Sequence, residues 1–173
     1  MRAFVGLILA LASAAPATAM QLSSPDLTSG APMAAAYVYT RCGGQNVSPA
    51  LSWSGQPAAT KSFVVTMIDL DVRPDRWSHW IVVDLPSAVT SIPRGVSADL
   101  LGGRGVVSNF GDATYDGPCP PPGTGVHHYE ITVWAMPSAS EELLPDASAR
   151  ALRAKLAATA LDHASLVVTS TGR

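Results

Sequence analysis

Three carboxylates and a histidine crowd one short stretch, Asp69-Leu70-Asp71-Val72-Arg73-Pro74-Asp75-Arg76-Trp77-Ser78-His79-Trp80. Asp69 and Asp71 are two apart, so on an extended backbone both can face one cavity. A single aspartate after a strand more often caps a turn with its side chain. A pair beside an aromatic-flanked histidine could instead do acid–base work, hold a cation or orient an imidazole. A second segment, Gly125-Val126-His127-His128-Tyr129-Glu130-Ile131-Thr132-Val133-Trp134, brings further histidines to the start of a strand. Alternation puts His127 on one face with Tyr129, Ile131 and Val133, and His128 on the other with Glu130. One of the two should line a pocket; the other should be solvated or paired on the Glu130 side. By the same rule His79 shares a face with Ile81, Val83 and Leu85, opposite Trp80 and Val82.

These groups need strands to position them. Phe63 to Asp69 is nearly continuous in apolar residues, as expected of a strand covered on both faces. His79 to Leu85, ended by Pro86, is its expected neighbour, and Asp71 to Ser78 is the loop between them. His127 to Ala135 is a third strand. Tyr37 to Thr40, Leu51 to Trp53 and Leu166 to Ser170 read as shorter strands. Ser87 to Phe110 has no clear period, and Gly111 to Gly125 is dense in Gly and Pro. A run this stiff can wall a site without secondary structure. From Ala147 to His163, Ala149, Leu152, Leu156 and Ala160 share one face, with Asp146 as an N-cap, predicting a helix of about four turns. Many non-helical segments and one late helix point to a mainly β fold, with antiparallel sheets and the helix packed beside them.

The 173 residues suit one domain, and 14% charged against 47% hydrophobic residues argues against disorder. Arg2, the apolar run Ala3 to Ala12, and Ala17-Thr18-Ala19 read as a cleaved signal peptide over residues 1–19. Pro16 interrupts that run short of a membrane span, leaving residues 20–173 as the exported domain, periplasmic or secreted. The formal charge of −2 becomes −3 once Arg2 is removed, which offers no basic footprint for nucleic acid or membrane. Cys42 and Cys119 are the two cysteines. In an oxidising compartment they suggest a disulfide; two buried thiols are the alternative.

The residues resemble the phosphatidylethanolamine-binding proteins, most closely their bacterial Raf-kinase-inhibitor-like branch. The family's Asp-Pro-Asp-Ala-Pro segment followed by Trp and His-Trp or His-Phe is matched by Asp69-Leu70-Asp71-Val72, Pro74, Trp77 and His79-Trp80. Its Gly-x-His-Arg-Tyr segment is matched by Gly125-Val126-His127-His128-Tyr129. Asn46 to Trp53, Lys61-Ser62-Phe63, Asn109-Phe110-Gly111 and Tyr115 to Pro121 also fit, so the resemblance runs from about residue 21 to the C-terminus. It implies two antiparallel sheets with a C-terminal helix, and a small pocket for phosphate-like anions and phosphorylated head groups. The lining it implies is Asp69, Asp71, Trp77, His79, Tyr115, Gly117, Pro121, His127 and Tyr129. It also implies a Cys42–Cys119 disulfide, and neither metal nor other cofactor. Leu70 stands where the family has proline, the 73–76 segment is altered, and His128 replaces an arginine; the loop changes bear on the pocket mouth.

An anion site usually carries Arg, Lys or a helix N-terminus. Here a phosphate would be held by His79 and His127 as N–H donors, by the Tyr115 or Tyr129 hydroxyl, and by amides around Gly117. Asp69 and Asp71 would keep the imidazoles oriented and protonated. Affinity for a phosphate-bearing ligand should then rise as pH falls through the histidine range. Two Asp and two His could alternatively ligate Zn²⁺ or Mn²⁺ and activate water. An acid–base hydrolase lacks a nucleophile in a suitable context, since Ser48 and Ser78 do not sit in an elbow. The expected role is non-catalytic ligand binding. The other reading is modulation of a protease or other protein through the pocket rim.

Overall fold

The computed structural model describes residues 19–143 and 148–172. Five strands form the larger sheet: β3 (Ser62–Asp69), β4 (Trp77–Pro86), β6 (Arg104–Gly105), β7 (Val126–Met136) and β8 (Asp162–Thr171), in the order β6-β4-β3-β7-β8. A smaller sheet holds β1 (Gln21–Ser23), β2 (Leu51–Ser54) and β5 (Ser91–Ile92) in the order β1-β2-β5. All strand pairs in both sheets are antiparallel. The fold is mainly β, with one α-helix among the described residues, α1 (Ala149–Thr159).

Every residue of β3 is buried, because both faces of the large sheet are covered. One face packs on the small sheet: Leu51, Trp53 and Ile92 meet Phe63, Val65, Met67, Ile131 and Val133. The other face takes α1, with Leu152 and Leu156 against Val64, Ile81, Val83, Trp134 and Met136. Ser148 caps α1, its hydroxyl accepting from the Ala151 amide at 3.2 Å. Asp146, the expected cap, lies outside the described residues. The helix ends at Thr159 rather than His163. β8 pairs ten residues along β7, from Val126↔Thr171 to Ala135↔Asp162, and draws 162–165 into the sheet.

Two β-bulges in β4 overturn the strict alternation expected there. Met67 pairs with Trp80 and Ile68 with Ser78, leaving His79 as the extra residue. Phe63 pairs with Leu85 and Val65 with Val82, so a second extra residue falls near Asp84, whose φ is +62°. His79 therefore joins Trp80 and Val82 on the face toward the small sheet. Ile81 and Val83 face the helix, and Leu85 returns to the first face. A bulge re-aims a side chain in this way.

Tyr37 to Thr40 is not a strand. It lies across two 3-10 turns, Ala35–Tyr37 and Thr40–Cys42. No neighbouring strand is offered to it; the Tyr37 carbonyl accepts the Tyr115 hydroxyl at 2.7 Å and the Tyr39 amide donates to Pro118. Packing context overrides the β preference of Tyr and Val. The second turn holds Cys42 in a disulfide with Cys119, Cα atoms 5.5 Å apart.

Candidate functional site

A cavity of about 330 Å³ opens at the end of β3 and β7, lined by Asp69, Val72, Trp77, His79, Phe110, Cys119, Pro120, Pro121, His127 and Tyr129. A wider groove of about 620 Å³ runs past Asn46, Arg104 and Tyr115. Of the two, only the first brings histidines, a carboxylate and aromatic rings together.

The cavity floor follows from the register. Asp69 pairs with Tyr129 across β3 and β7, and alternation along β7 sets His127 on the same face as Tyr129. His127 Nδ1 lies 2.6 Å from Asp69 Oδ2, with both side chains buried. On its far side Nε2 lies 3.0 Å from Thr124 Oγ1. The Thr124 hydroxyl donates to the Pro121 carbonyl at 2.7 Å. A hydroxyl has one hydrogen, so at Nε2 the oxygen accepts and the imidazole donates. The order Asp69–His127–Thr124 has the outline of a nucleophile triad, but the hydroxyl's proton is turned away from the imidazole. This is an oriented carboxylate–imidazole pair rather than an activated nucleophile.

His79 reaches the cavity through its bulge. Its Nδ1 lies 3.0 Å from the Asp116 carbonyl oxygen, and the Asp116 amide returns to the His79 carbonyl at 3.1 Å. Its ring packs edge-on to Tyr129 at 5.0 Å and beside Phe110 at 4.9 Å. Burial pushes the imidazole down to about 4, against smaller upward pulls from Asp116 and Asp69. His79 is therefore neutral near pH 7 and no carboxylate hydrogen-bonds it, unlike the protonated imidazole expected. The Tyr129 hydroxyl is fully buried beside the Asp69 carboxylate. Burial first, then the Asp69 charge and a hydrogen bond to that carboxylate, raises its pKa, so it stays protonated.

Six of the nine expected residues line the cavity: Asp69, Trp77, His79, Pro121, His127 and Tyr129. Asp71 does not. The strand ends at Asp69, whose Oδ1 accepts the Asp71 amide at 2.8 Å, and this turn swings Asp71 to His128. There its Oδ2 accepts from the His128 amide at 2.6 Å and lies 3.0 Å from its Nδ1. Partial burial raises the Asp71 carboxyl, but those bonds and the His128 charge bring it below the ordinary value. Tyr115 is buried with its hydroxyl on Tyr37. Gly117 serves close packing, since a Cβ there would sit 2.1 Å from the Tyr37 oxygen. Its amide donates to Asn46 Oδ1 at 2.8 Å.

Val72, Phe110, Cys119 and Pro120 are the lining residues that side-chain chemistry gave no reason to single out. Phe110 lies in a segment without period, and only the Asn-Phe-Gly match hinted at it. Cys119 is at once half of the disulfide and part of the wall. Among the described residues no Lys or Arg lines the cavity. Among the described residues no cluster of three His, Cys, Asp or Glu could hold a metal ion.

The phosphatidylethanolamine-binding protein family model matches residues 23–171. The chain belongs to that family. YbcL of Escherichia coli K12, a UPF0098 protein, is 40% identical over 132 residues, covering 70% of this chain and 71% of YbcL. A Mycobacterium tuberculosis H37Rv protein named as a candidate lipoprotein, LppC, is 35% identical over 153 residues, covering 88% and 73%. The crystal structure of E. coli YbcL, described as a new member of the mammalian PEBP family, superposes with a TM-score of 0.80 at 30% identity, covering 90% of this chain and 100% of YbcL. The fold is thus the family's, and these relatives carry no enzyme name. Among the described residues no helix is long and apolar enough to cross a membrane.

Proposed function

We propose that the chain is an exported, non-catalytic binding protein. Its cavity takes a phosphate-bearing or other anionic group of a small ligand, of the kind a phospholipid head group presents. The observation that carries this reading is the His127–Asp69 pair in the cavity wall. The carboxylate orients the imidazole, whose Nε2–H a ligand can take over from Thr124. The apolar wall of Trp77, Phe110, Pro120 and Pro121 excludes water, so each of these bonds is worth more than at the surface. Export is supported by Arg2, the apolar run after it, Ala17-Thr18-Ala19, and the disulfide.

Calorimetric titration of methyl phosphate into wild type and the His127→Gln variant tests the reading. The variant should bind about tenfold more weakly, having lost the N–H that Asp69 orients. Equal affinity in the two proteins would remove His127 as the anion's donor.

A second reading, modulation of a protein target through the rim, is favoured by Trp77, a lining residue of the cavity that is 38% exposed. A purified target whose binding survives Asp69→Ala, His127→Ala and is lost on Trp77→Ala would support it; loss in both variants would return the role to the cavity.

A further inference from the structure

Asp116 lies outside the cavity yet holds two residues that line it, His79 and Phe110. Its backbone grips His79 twice. The carbonyl can only accept, so His79 Nδ1 donates to it at 3.0 Å, and the Asp116 amide donates to the His79 carbonyl at 3.1 Å. Its side chain meets the turn that carries Phe110. That turn is closed by the Ser108 amide donating to the Asp112 carbonyl at 2.8 Å and the Gly111 amide donating to the Ser108 carbonyl at 3.0 Å. One anchor of the turn is Asn109, whose Oδ1 accepts the Ser78 amide and hydroxyl, both at 2.8 Å. The other is Asp112, whose carboxylate is within hydrogen-bond reach of Asp116. Between the two anchors the Phe110 ring packs on His79 at 4.9 Å and on Tyr39 at 5.1 Å.

Two carboxylates in such reach form no bond until a proton sits between them. Asp116 is 2% exposed, and its Oδ2 is sealed from water with no donor. Asp112 is exposed, and its Oδ1 accepts the Thr114 amide and hydroxyl, both at 2.9 Å. The proton therefore belongs on the buried partner. We propose that Asp116 and Asp112 share one proton, and that this proton locks the Phe110 wall of the cavity against His79. Its release to solvent leaves two facing carboxylates, of which only the exposed Asp112 can withdraw. The Phe110 turn is then anchored at Asn109 alone, and the cavity wall loosens. Asp116 is a positioning residue, acting on the cavity through Asp112 and Phe110 whichever ligand the cavity takes.

The groups around the pair do not offset its charge. Among the described residues no Lys or Arg pairs with either carboxylate. Arg104 on β6, which lines a groove with Thr114 and Tyr115, is held by Asp84 at 3.1 Å, and Asp99 in that groove adds negative charge. His79 on β4 is neutral above about 4, and Tyr115 stays protonated because burial, then the Asp116 charge, raises its pKa. Asn46 brings only its amide, 3.4 Å from Asp116 Oδ1. Burial, then the Asp112 charge, pushes the Asp116 carboxyl from 3.8 up to about 6. The locked wall thus holds a proton that the loosened one has released. Locking is complete below about 4 and is lost as pH rises through 6.

Amide hydrogen exchange from pH 4.5 to 7.5, on the disulfide-bonded protein without ligand, reads the lock. After correction for intrinsic rates, protection of the Ser108 and Gly111 amides should fall about tenfold per pH unit up to about 6 and level off above it. Because the opening is local, these amides should exchange at least about tenfold faster than β3 amides such as that of Val65. Equal protection in the turn and in β3 would mean global unfolding alone and overturns the proposal. Asp116→Asn gives Asp112 a permanent N–H donor, so protection of the turn should stay level across the range; a fall like that of wild type overturns it. Carboxyl ¹³C spectra need no variant. Asp116 should titrate near 6 with Asp112 responding in the same step, and an Asp116 midpoint near 3.8 overturns the proposal. Nuclear Overhauser contacts between the Phe110 and His79 rings should weaken from pH 5 to pH 7; unchanged contacts overturn it as well. No ligand is present, so these failures leave the binding reading standing, and methyl phosphate titration decides that separately.

Discussion

Asp69 and His127 are joined by a bond of 2.6 Å between Oδ2 and Nδ1, and the same carboxylate turns the chain by accepting the Asp71 amide at 2.8 Å. One side chain thus ends β3, sets the direction of the following loop and holds a cavity imidazole. Asp69→Asn keeps the shape but removes the charge. A charge-assisted bond of this kind contributes about 1.5–3 kcal/mol, so the variant should lose stability by that order in urea titration and bind methyl phosphate at least about tenfold more weakly. Unchanged stability and affinity would mean that the pair is incidental.

Asp116 gives the fold its own pH dependence. Its Oδ2 is buried without a partner, and burial raises its pKa from 3.8 to about 6. The folded state therefore holds a proton that the unfolded state has released between those values. The associated stability is present below about 4 and is lost as pH rises through 6. Asp116→Asn, which can keep its neighbour Asn46, should be more stable than wild type at pH 7.5 by about 1–2 kcal/mol and show no advantage at pH 4. Parallel stability curves for the two proteins would refute this.

The disulfide joins residues 77 apart. Chain entropy assigns such a loop about 4 kcal/mol. Cys42→Ser, Cys119→Ser should unfold at markedly lower urea than wild type, by about 2–5 kcal/mol, with a higher m-value because the uncrosslinked unfolded chain exposes more surface.

Gly117 has a backbone reason to be glycine. An added Cβ would lie 2.1 Å from the Tyr37 oxygen and 2.7 Å from the Tyr39 nitrogen. Gly117→Ala should destabilise by about 1–3 kcal/mol and raise hydrogen exchange at the Tyr39 amide, which is bonded to Pro118. Normal exchange there would show that the contact relaxes freely.

The strands that build the cavity were legible because β3 and β7 run regularly. Eight successive residues pair between them without a shift, so alternation from His127 to Val133 assigned faces correctly. It failed at His79 for a physical reason. A bulge is a one-residue difference between two strands, and a single strand's pattern does not display it. Asp71 was misplaced because alternation was carried two residues past the point where Asp69 itself turns the chain. Tyr37 to Thr40 has strand residues but no strand to pair with. The tautomer of His79 depends on a carbonyl 37 positions away, Asp116, which spacing around His79 could not suggest.

Cys119 forms part of the ligand wall while its bonded partner Cys42 anchors a turn outside the sheets. The wall's shape is therefore conditional on the thiol state of the sample. Protein handled in dithiothreitol and protein handled without it would present two different surfaces to the same ligand. A binding constant for this cavity has meaning only alongside a free-thiol count.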